Sequence, residues 1–507
     1  MEVGRKNGNE GASDYLSILS GTSQNIIGIV IAAIATLGAN VLMGRVLGPR
    51  GFGVVTLVTQ AAFVISFATR AGMDMAVLRD VAVEAGVSRW DNIRTPVARA
   101  ALIAVGVSTL AAFVSFAAAD AVRSLFSISD ALGRWAVESA VLGLPFLALA
   151  NVWLSATRGL KIMRYTLYVF WAGQPLGWLM LMVIGFRFSA TTWMGAATYS
   201  LSWTVASVAA YWSWKRESHT WPVTPMEQGA LGRLVRFAGP RAPAALFSQL
   251  LFWTDLFVLT RYASESEVGI YSAALRGGQM IVLFITSVSL MFSPFVADLH
   301  NRGETKRLDG LFKTLTRWTI AATIPVLLVL SIAPDSALKV FGSKFAGGQT
   351  ALLILLAGQF VNIATGSVGF VLIMVGRTGW DLVVYAGSLI MNLGIAFWLC
   401  PRYGMEGAAI ANAATFAVSK WARLALVKHF VAIQPYDRNY LKLIIPTAVA
   451  SAVMLGVHQI TGSRWAADLL AITVLGSLAY GITYLWCGLT EAERRGIAGL
   501  KARLAAR

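Results

Sequence analysis

Five ionisable residues stand in or beside long apolar runs, and their spacing limits what they can do. Arg70 and Asp74, in FATRAGMDMAV, are four residues apart, so on a helix they share a face and can pair. Paired and buried they form a structural unit; apart, they offer an anion ligand and a cation or proton site. Arg241 lies between Pro240 and Pro243. Two prolines so close free backbone groups, which a neighbouring helix or a polar cavity must satisfy. Asp255 interrupts FSQLLFWTDLFVLT, with Arg261 six residues further on. Arg276, in SAALRGGQM, precedes Gly277 and Gly278, where a neighbouring helix can approach closely. Its guanidinium carries a permanent charge on a planar fork that meets phosphate or carboxylate oxygens in pairs. The alternative for Arg276 is a side chain that snorkels to the membrane surface, and for Arg241 an ordinary surface charge.

These residues need elements to hold them, and the composition says which kind. The chain has 507 residues, 57% of them hydrophobic and 13% charged, with mean hydropathy +0.65. Soluble domains carry about 25% charged residues, so this chain is a polytopic membrane protein. Windowed hydropathy predicts fourteen helical spans, near 17–44, 52–78, 96–119, 134–157, 163–186, 190–214, 233–260, 267–297, 312–333, 348–375, 379–400, 404–430, 441–461 and 465–488. Short tails (1–16 and 489–507) and a linker (216–232) are the main polar stretches. The net charge is +17, but the basic residues sit at the ends of apolar runs without the stripe that nucleic acid requires. With the N-terminus inside, 29 Lys and Arg fall on cytoplasmic segments and 10 on outer ones. That bias places both termini in the cytoplasm.

Cys400 and Cys487 are expected near opposite membrane faces and form neither a disulfide framework nor a metal site. The four histidines lack metal-ligand spacing, and no phosphate-binding glycine loop of the Walker type occurs. No catalytic set emerges, so the expectation is a protein that is not an enzyme and holds no cofactor or metal.

The chain also resembles itself. GRVLGPRGFGVV after the first span aligns with LTRYASESEVGIY after the seventh: Arg45 with Arg261, Gly53 with Gly269, Val54 with Ile270, without a gap. WMGAATYSL aligns with GMEGAAIANA, Gly195 opposite Gly407. Six spans (17–215) are therefore repeated (233–430), and two more follow (431–488). An even number of spans per repeat gives two parallel lobes about an axis along the membrane normal, a transporter architecture with its site at the repeat interface.

LGPRGFGVVTLVTQ, TDLFVLTRYASESEVGIYSAALR and RYGMEGAAIANAATF resemble the signatures of polysaccharide flippases of the multidrug/oligosaccharidyl-lipid/polysaccharide exporter superfamily, over essentially the whole chain. Asp255, Leu259, Val268, Gly269, Tyr271 and Ala274 meet that family's spaced pattern. The resemblance implies two six-helix lobes of the multidrug-exporter type plus two C-terminal helices. It also implies transport of an undecaprenyl-diphosphate-linked oligosaccharide to the outer leaflet by alternating access, in a bacterial inner membrane. Implied partners are that lipid-linked glycan, membrane lipid, and the polymerase and export machinery of a surface polysaccharide. Coupling to a Na+ or H+ gradient is a further implication. Arg276, Arg241 and Arg70 are then candidate ligands of the diphosphate in a central cavity. Asp255 and Asp74 are candidates for orienting an arginine, for Asp255 either Arg276 or Arg261, or for binding the coupling ion. A cation-coupled drug or metabolite antiporter of the same superfamily is the alternative; its compact acidic cavity fits poorly with this excess of arginine. A membrane polymerase or ligase is a third reading, opposed by the short outer loops.

Overall fold

The computed structural model describes residues 2–225, 229–490 and Glu493, and every regular element among them is helical. Nine helices among the described residues are long and apolar enough to cross a membrane. Two of these hold two spans each. The helix Glu2–Thr69 (α1) turns at Gly48 (φ 68°), just before Pro49, and Thr378–Val431 turns at Gly404 (φ 54°), just after Pro401. Proline and a left-handed glycine account for both kinks, because the ring removes a donor and only glycine adopts the positive φ without penalty. Three further expected spans fall on Thr192–Ser218, on Ala230–Leu259 and on Glu265–Met280 with Val282–Asn301. The chain is an all-α polytopic membrane protein whose helices accord with fourteen spans.

Contacts group the chain into two compact units. One comprises Gly28–Ala273 and Tyr385–Asn412; the other comprises Met1–Ile27, Ala274–Val384 and Ala413–Arg507. In the first, a core of small and branched side chains joins Met73, Val77 and Val81 to Val97, Ala148, Val152, Leu234 and Ala238. Small residues suit a membrane bundle, where close packing substitutes for the hydrophobic drive. In the second, Phe292 and Phe312 stack at 6.0 Å amid Leu308, Val371 and Val427, and a smaller cluster unites Val329, Met454 and Ile472.

Within the first unit the second span is broken. α1 stops at Thr69, and α2 (Met73–Gly86) resumes after Ala71 and Gly72, both at positive φ (50° and 70°). Ala71 in that region costs about 1–2 kcal/mol, so the surroundings must impose it. Gly72 fits because a side chain there would lie 2.5 Å from the Ala238 carbonyl. Ala238 belongs to Ala230–Leu259 (α3), the helix that carries Asp255.

The turn after α3 leads into Glu265–Met280 (α4), whose start is a capping box. The Glu267 carboxylate accepts from the Ser264 amide and hydroxyl at 3.1 Å, and the Ser264 hydroxyl accepts from the Glu267 amide at 3.3 Å. This fixes the register of Val268, Gly269 and Tyr271. Gly269 then crosses the chain at Gly53, its repeat equivalent, backbone to backbone. A side chain at Gly53 would fall 2.7 Å from the Glu265 carbonyl, and one at Gly269 would overlap the Pro49 carbonyl.

Candidate functional site

Asp255 and Tyr271 are fully buried, and Asn412 nearly so at 2% exposure. The Tyr271 hydroxyl donates to one carboxylate oxygen of Asp255, and Asn412 Nδ2 donates to the other at 3.1 Å. The spaced pattern of the sequence now has a physical cause. Asp255 ends α3, the capping box restarts the helix, and Tyr271 reaches back to the carboxylate. Leu259, Val268 and Ala274, the other members of that pattern, are fully or almost fully buried. The sequence pointed to an arginine partner; the observed donors are a phenol and an amide. Arg261 lies exposed beyond the end of α3 instead. Tyr271 carries no ionic signature in the sequence, and Asn412 is 157 residues away, so neither was legible as a partner.

Arg70 and Asp74 do pair, at 3.0 Å, with the arginine side chain 3% exposed. Their pairing spans the break in the second span. Arg70 Nε donates to the Ser66 carbonyl at 3.0 Å, which also accepts the Arg70 amide, and the guanidinium stacks 3.9 Å over Phe67. A third charge joins them. Arg158, near the end of the helix Leu144–Gly159, interacts electrostatically with both Asp74 and Arg70 and donates to Ser155 Oγ. Arg158, counted among the cytoplasmic basic residues, is partly buried at the end of this helix. Among the described residues, Arg70 Nη2 and Arg158 Nε are shielded from solvent and find no hydrogen-bond partner. Arg70 is bonded to Asp74, Arg158 is a second guanidinium within electrostatic range of both, and each arginine keeps an unused donor.

Arg276 is partly buried on α4 and donates to Gln279 at 3.4 Å, among other interactions. Its neighbour Gly277 admits the Leu352 side chain, which a Cβ would meet at 2.9 Å, so the close approach expected of the glycine pair is present. Arg241 lies on the helical backbone of α3, and its side chain is outside the described residues. Polar side chains of the spans bond within a helix, Asn151 to the Leu147 carbonyl and Asn362 to Gln359, or between helices, Gln174 to Ser202. Two further arginines counted with the cytoplasmic segments are buried. Arg423 pairs with Asp381 at 2.8 Å, and Arg317 pairs with Glu493. No cluster of three or more metal-ligating His, Cys, Asp or Glu side chains occurs among the described residues.

The chain matches the family described as "Polysaccharide biosynthesis protein" over residues 18–300 and the MatE family over residues 240–398. It is 22% identical over 250 residues to the "Probable low-salt glycan biosynthesis flippase Agl15" of Haloferax volcanii, covering 49% of this chain and about half, 53%, of that protein. It is 23% identical over 416 residues to the "Putative O-antigen transporter" of Shigella flexneri, covering 78% of this chain and 94% of that one. In fold it is similar to the lipid II flippase MurJ in an inward closed conformation (TM-score 0.68, 15% identity, 91% of this chain and 98% of that one). It is equally similar to an inward-facing multidrug MATE transporter (TM-score 0.68, 13% identity, 80% and 98%). With more than half its length matched, and with the helical junction at Asp255 built as the family's spaced pattern requires, the chain belongs to the polysaccharide biosynthesis protein family, the polysaccharide flippases of the multidrug/oligosaccharidyl-lipid/polysaccharide exporter superfamily.

Proposed function

We propose that this protein flips an undecaprenyl-diphosphate-linked oligosaccharide from the cytoplasmic to the outer leaflet of a bacterial inner membrane, supplying surface polysaccharide synthesis. Both termini lie in the cytoplasm, and the two repeats (17–215 and 233–430) alternate access around a central cavity. The observation that carries this reading is the buried surplus of positive charge at Arg70, Asp74 and Arg158. A diphosphate cannot enter some 30 Å of hydrocarbon unaided, because desolvating an anion is prohibitive. Guanidiniums with spare donors supply what water would otherwise provide. Asp74 neutralises part of that charge, so the anion is held without being trapped. Arg276, on α4 beside Gly277 and Gly278, is the ligand contributed from the second repeat.

The driving force is assigned to Asp255. Two neutral donors leave the charge of its carboxylate uncompensated within the span. Its oxygens, with the Tyr271 hydroxyl, are hard donors suited to Na+, and the carboxylate alone suits H+. Occupation of this junction would couple the ion gradient to the arrangement of α3 and α4.

The test is reconstitution. Vesicles holding the purified protein and a fluorescent undecaprenyl-diphosphate oligosaccharide should expose inner-leaflet label to an external lectin faster than protein-free vesicles do. Exchange at the protein-free rate, by protein that remains folded, refutes the assignment. Reporters fused after Arg89 or Arg302 should read cytoplasmic and one after Arg464 outside; an inversion refutes the orientation.

A further inference from the structure

The crossing of Gly53 and Gly269 is bound together by one carboxylate, and no part of the proposed chemistry accounts for it. Glu265, in the first turn of α4, forms an ion pair with Arg50, just beyond the Gly48 kink. Its other oxygen accepts the Ser129 amide at 2.6 Å. Ser129 caps the helix Asp130–Val141, and its hydroxyl accepts from Arg50 Nη2 at 2.9 Å. Three bonds close a triangle over three separate chain segments. Beneath them Phe52 is fully buried and Val268 is 3% exposed, and Phe126 packs on Phe257 at 5.5 Å. Burial raises the Glu265 carboxyl, but the Ser129 amide and the Arg50 guanidinium outweigh it and hold the group below its usual range.

We propose that Arg50, Glu265 and Ser129 are positioning residues that latch the outer end of the transport path, and that opening this triangle is a required step in release to the outer leaflet. Glu265 is the central member. Arg50 is 58% exposed at its side chain, so its half of the ion pair is screened and weak. Glu265 is 15% exposed and lies at the N-terminal ends of two helices, where backbone amides favour a negative charge. Neither residue contacts the candidate anion or ion sites. Their role is to set the balance between closed and open forms, and it rests on the alternating-access orientation proposed above.

The experiment uses the full chain in cells, with Cys400 replaced by alanine and Cys487 by serine, and with Val268→Cys as a buried reporter for a membrane-impermeant maleimide added outside. Glu265→Gln should raise the labelling rate about tenfold, the effect of losing a charge-assisted hydrogen bond. Arg50→Gln should raise it threefold or less, and Ser129→Ala hardly at all. Ser129→Pro provides a second route. Its φ of −64° already suits proline, so the change removes the amide donor without bending the chain, and labelling should rise as in Glu265→Gln. Glu265→Asp should restore part of the protection, which a merely structural contact would not. Unchanged labelling in both Glu265→Gln and Ser129→Pro, with normal protein levels, overturns the latch. So does a larger effect from Arg50→Gln than from Glu265→Gln. If the latch variants open as expected while vesicles show no glycan exchange, the transport assignment fails and the latch stands.

Discussion

The junction of Asp255, Tyr271 and Asn412 makes a prediction whose size reveals the charge at its centre. Tyr271→Phe removes one hydroxyl and leaves the ring, so packing around this fully buried side chain is conserved. What is lost is a single hydrogen bond to Asp255. Between neutral partners inside a membrane protein such a bond contributes about 0.6 kcal/mol on average. To an ionised acceptor the figure is about 1.5–3 kcal/mol. Both carboxylate oxygens accept donors here, the arrangement of an ionised group, so the expected loss is in the upper range. Asn412→Leu should cost a similar amount. The double variant should cost more than the sum, because it strips the second of the two donors that hold the carboxylate. Reversible unfolding in mixed detergent micelles measures all three. A loss at or below about 0.6 kcal/mol for Tyr271→Phe would mean a neutral acid at Asp255 and would refute the uncompensated charge on which ion coupling depends.

The arginine sites make two further predictions. Arg276→Ala should abolish delivery of lipid-linked sugar at unchanged protein level, and Arg276→Lys should rescue it only partly, for want of the bidentate fork; normal surface polysaccharide in the alanine variant removes Arg276 from the substrate path. Arg70→Ala removes the ion pair that holds Asp74 and should cost about 3–5 kcal/mol, whereas Arg70→Met with Asp74→Leu should cost much less and still lose transport. Equal stability losses for the single and double changes would show that the pair is not a coupled unit.

Much of the fold was legible because membrane helices announce themselves by length and hydropathy, and the spacing of four between Arg70 and Asp74 is itself a statement of pairing. What stayed hidden shares one cause, distance along the chain. Asn412 and Asp255 meet across 157 residues, and Arg317 and Glu493 across 176. The burial of Arg158, Arg317 and Arg423 was hidden for a related reason. Each lies near the end of its apolar run, where a hydropathy window cannot separate a residue facing water from one turned into the bundle. Burial of an arginine depends on its finding a carboxylate, and the carboxylates are on other helices. The break after Thr69 was equally silent, since Ala71 is not a residue that favours positive φ; the requirement comes from the carbonyl of Ala238 pressing on Gly72.

The repeat shows how far sequence carries and where structure must take over. Its alignment paired Gly53 with Gly269 as a correspondence between two positions, with no implication that they touch. They touch because each begins the same helix of its repeat, and equivalent helix starts that approach each other meet at equivalent residues. Backbone contact at such a point demands glycine on both sides, so the crossing explains why both copies carry it. The same alignment sets Glu265 opposite Pro49 and Ser266 opposite Arg50. The side chains that bind the crossing are therefore ones the repeats do not share. A symmetric crossing holds two copies of a bundle together equally well in either repeat's frame. An ion pair with its acid on one copy and its base on the other distinguishes them, and it does so at one end of the path only. Because the repeats run parallel, the crossing lies at one end of both, and this ion pair gives it an acid and a base that the repeat itself does not supply.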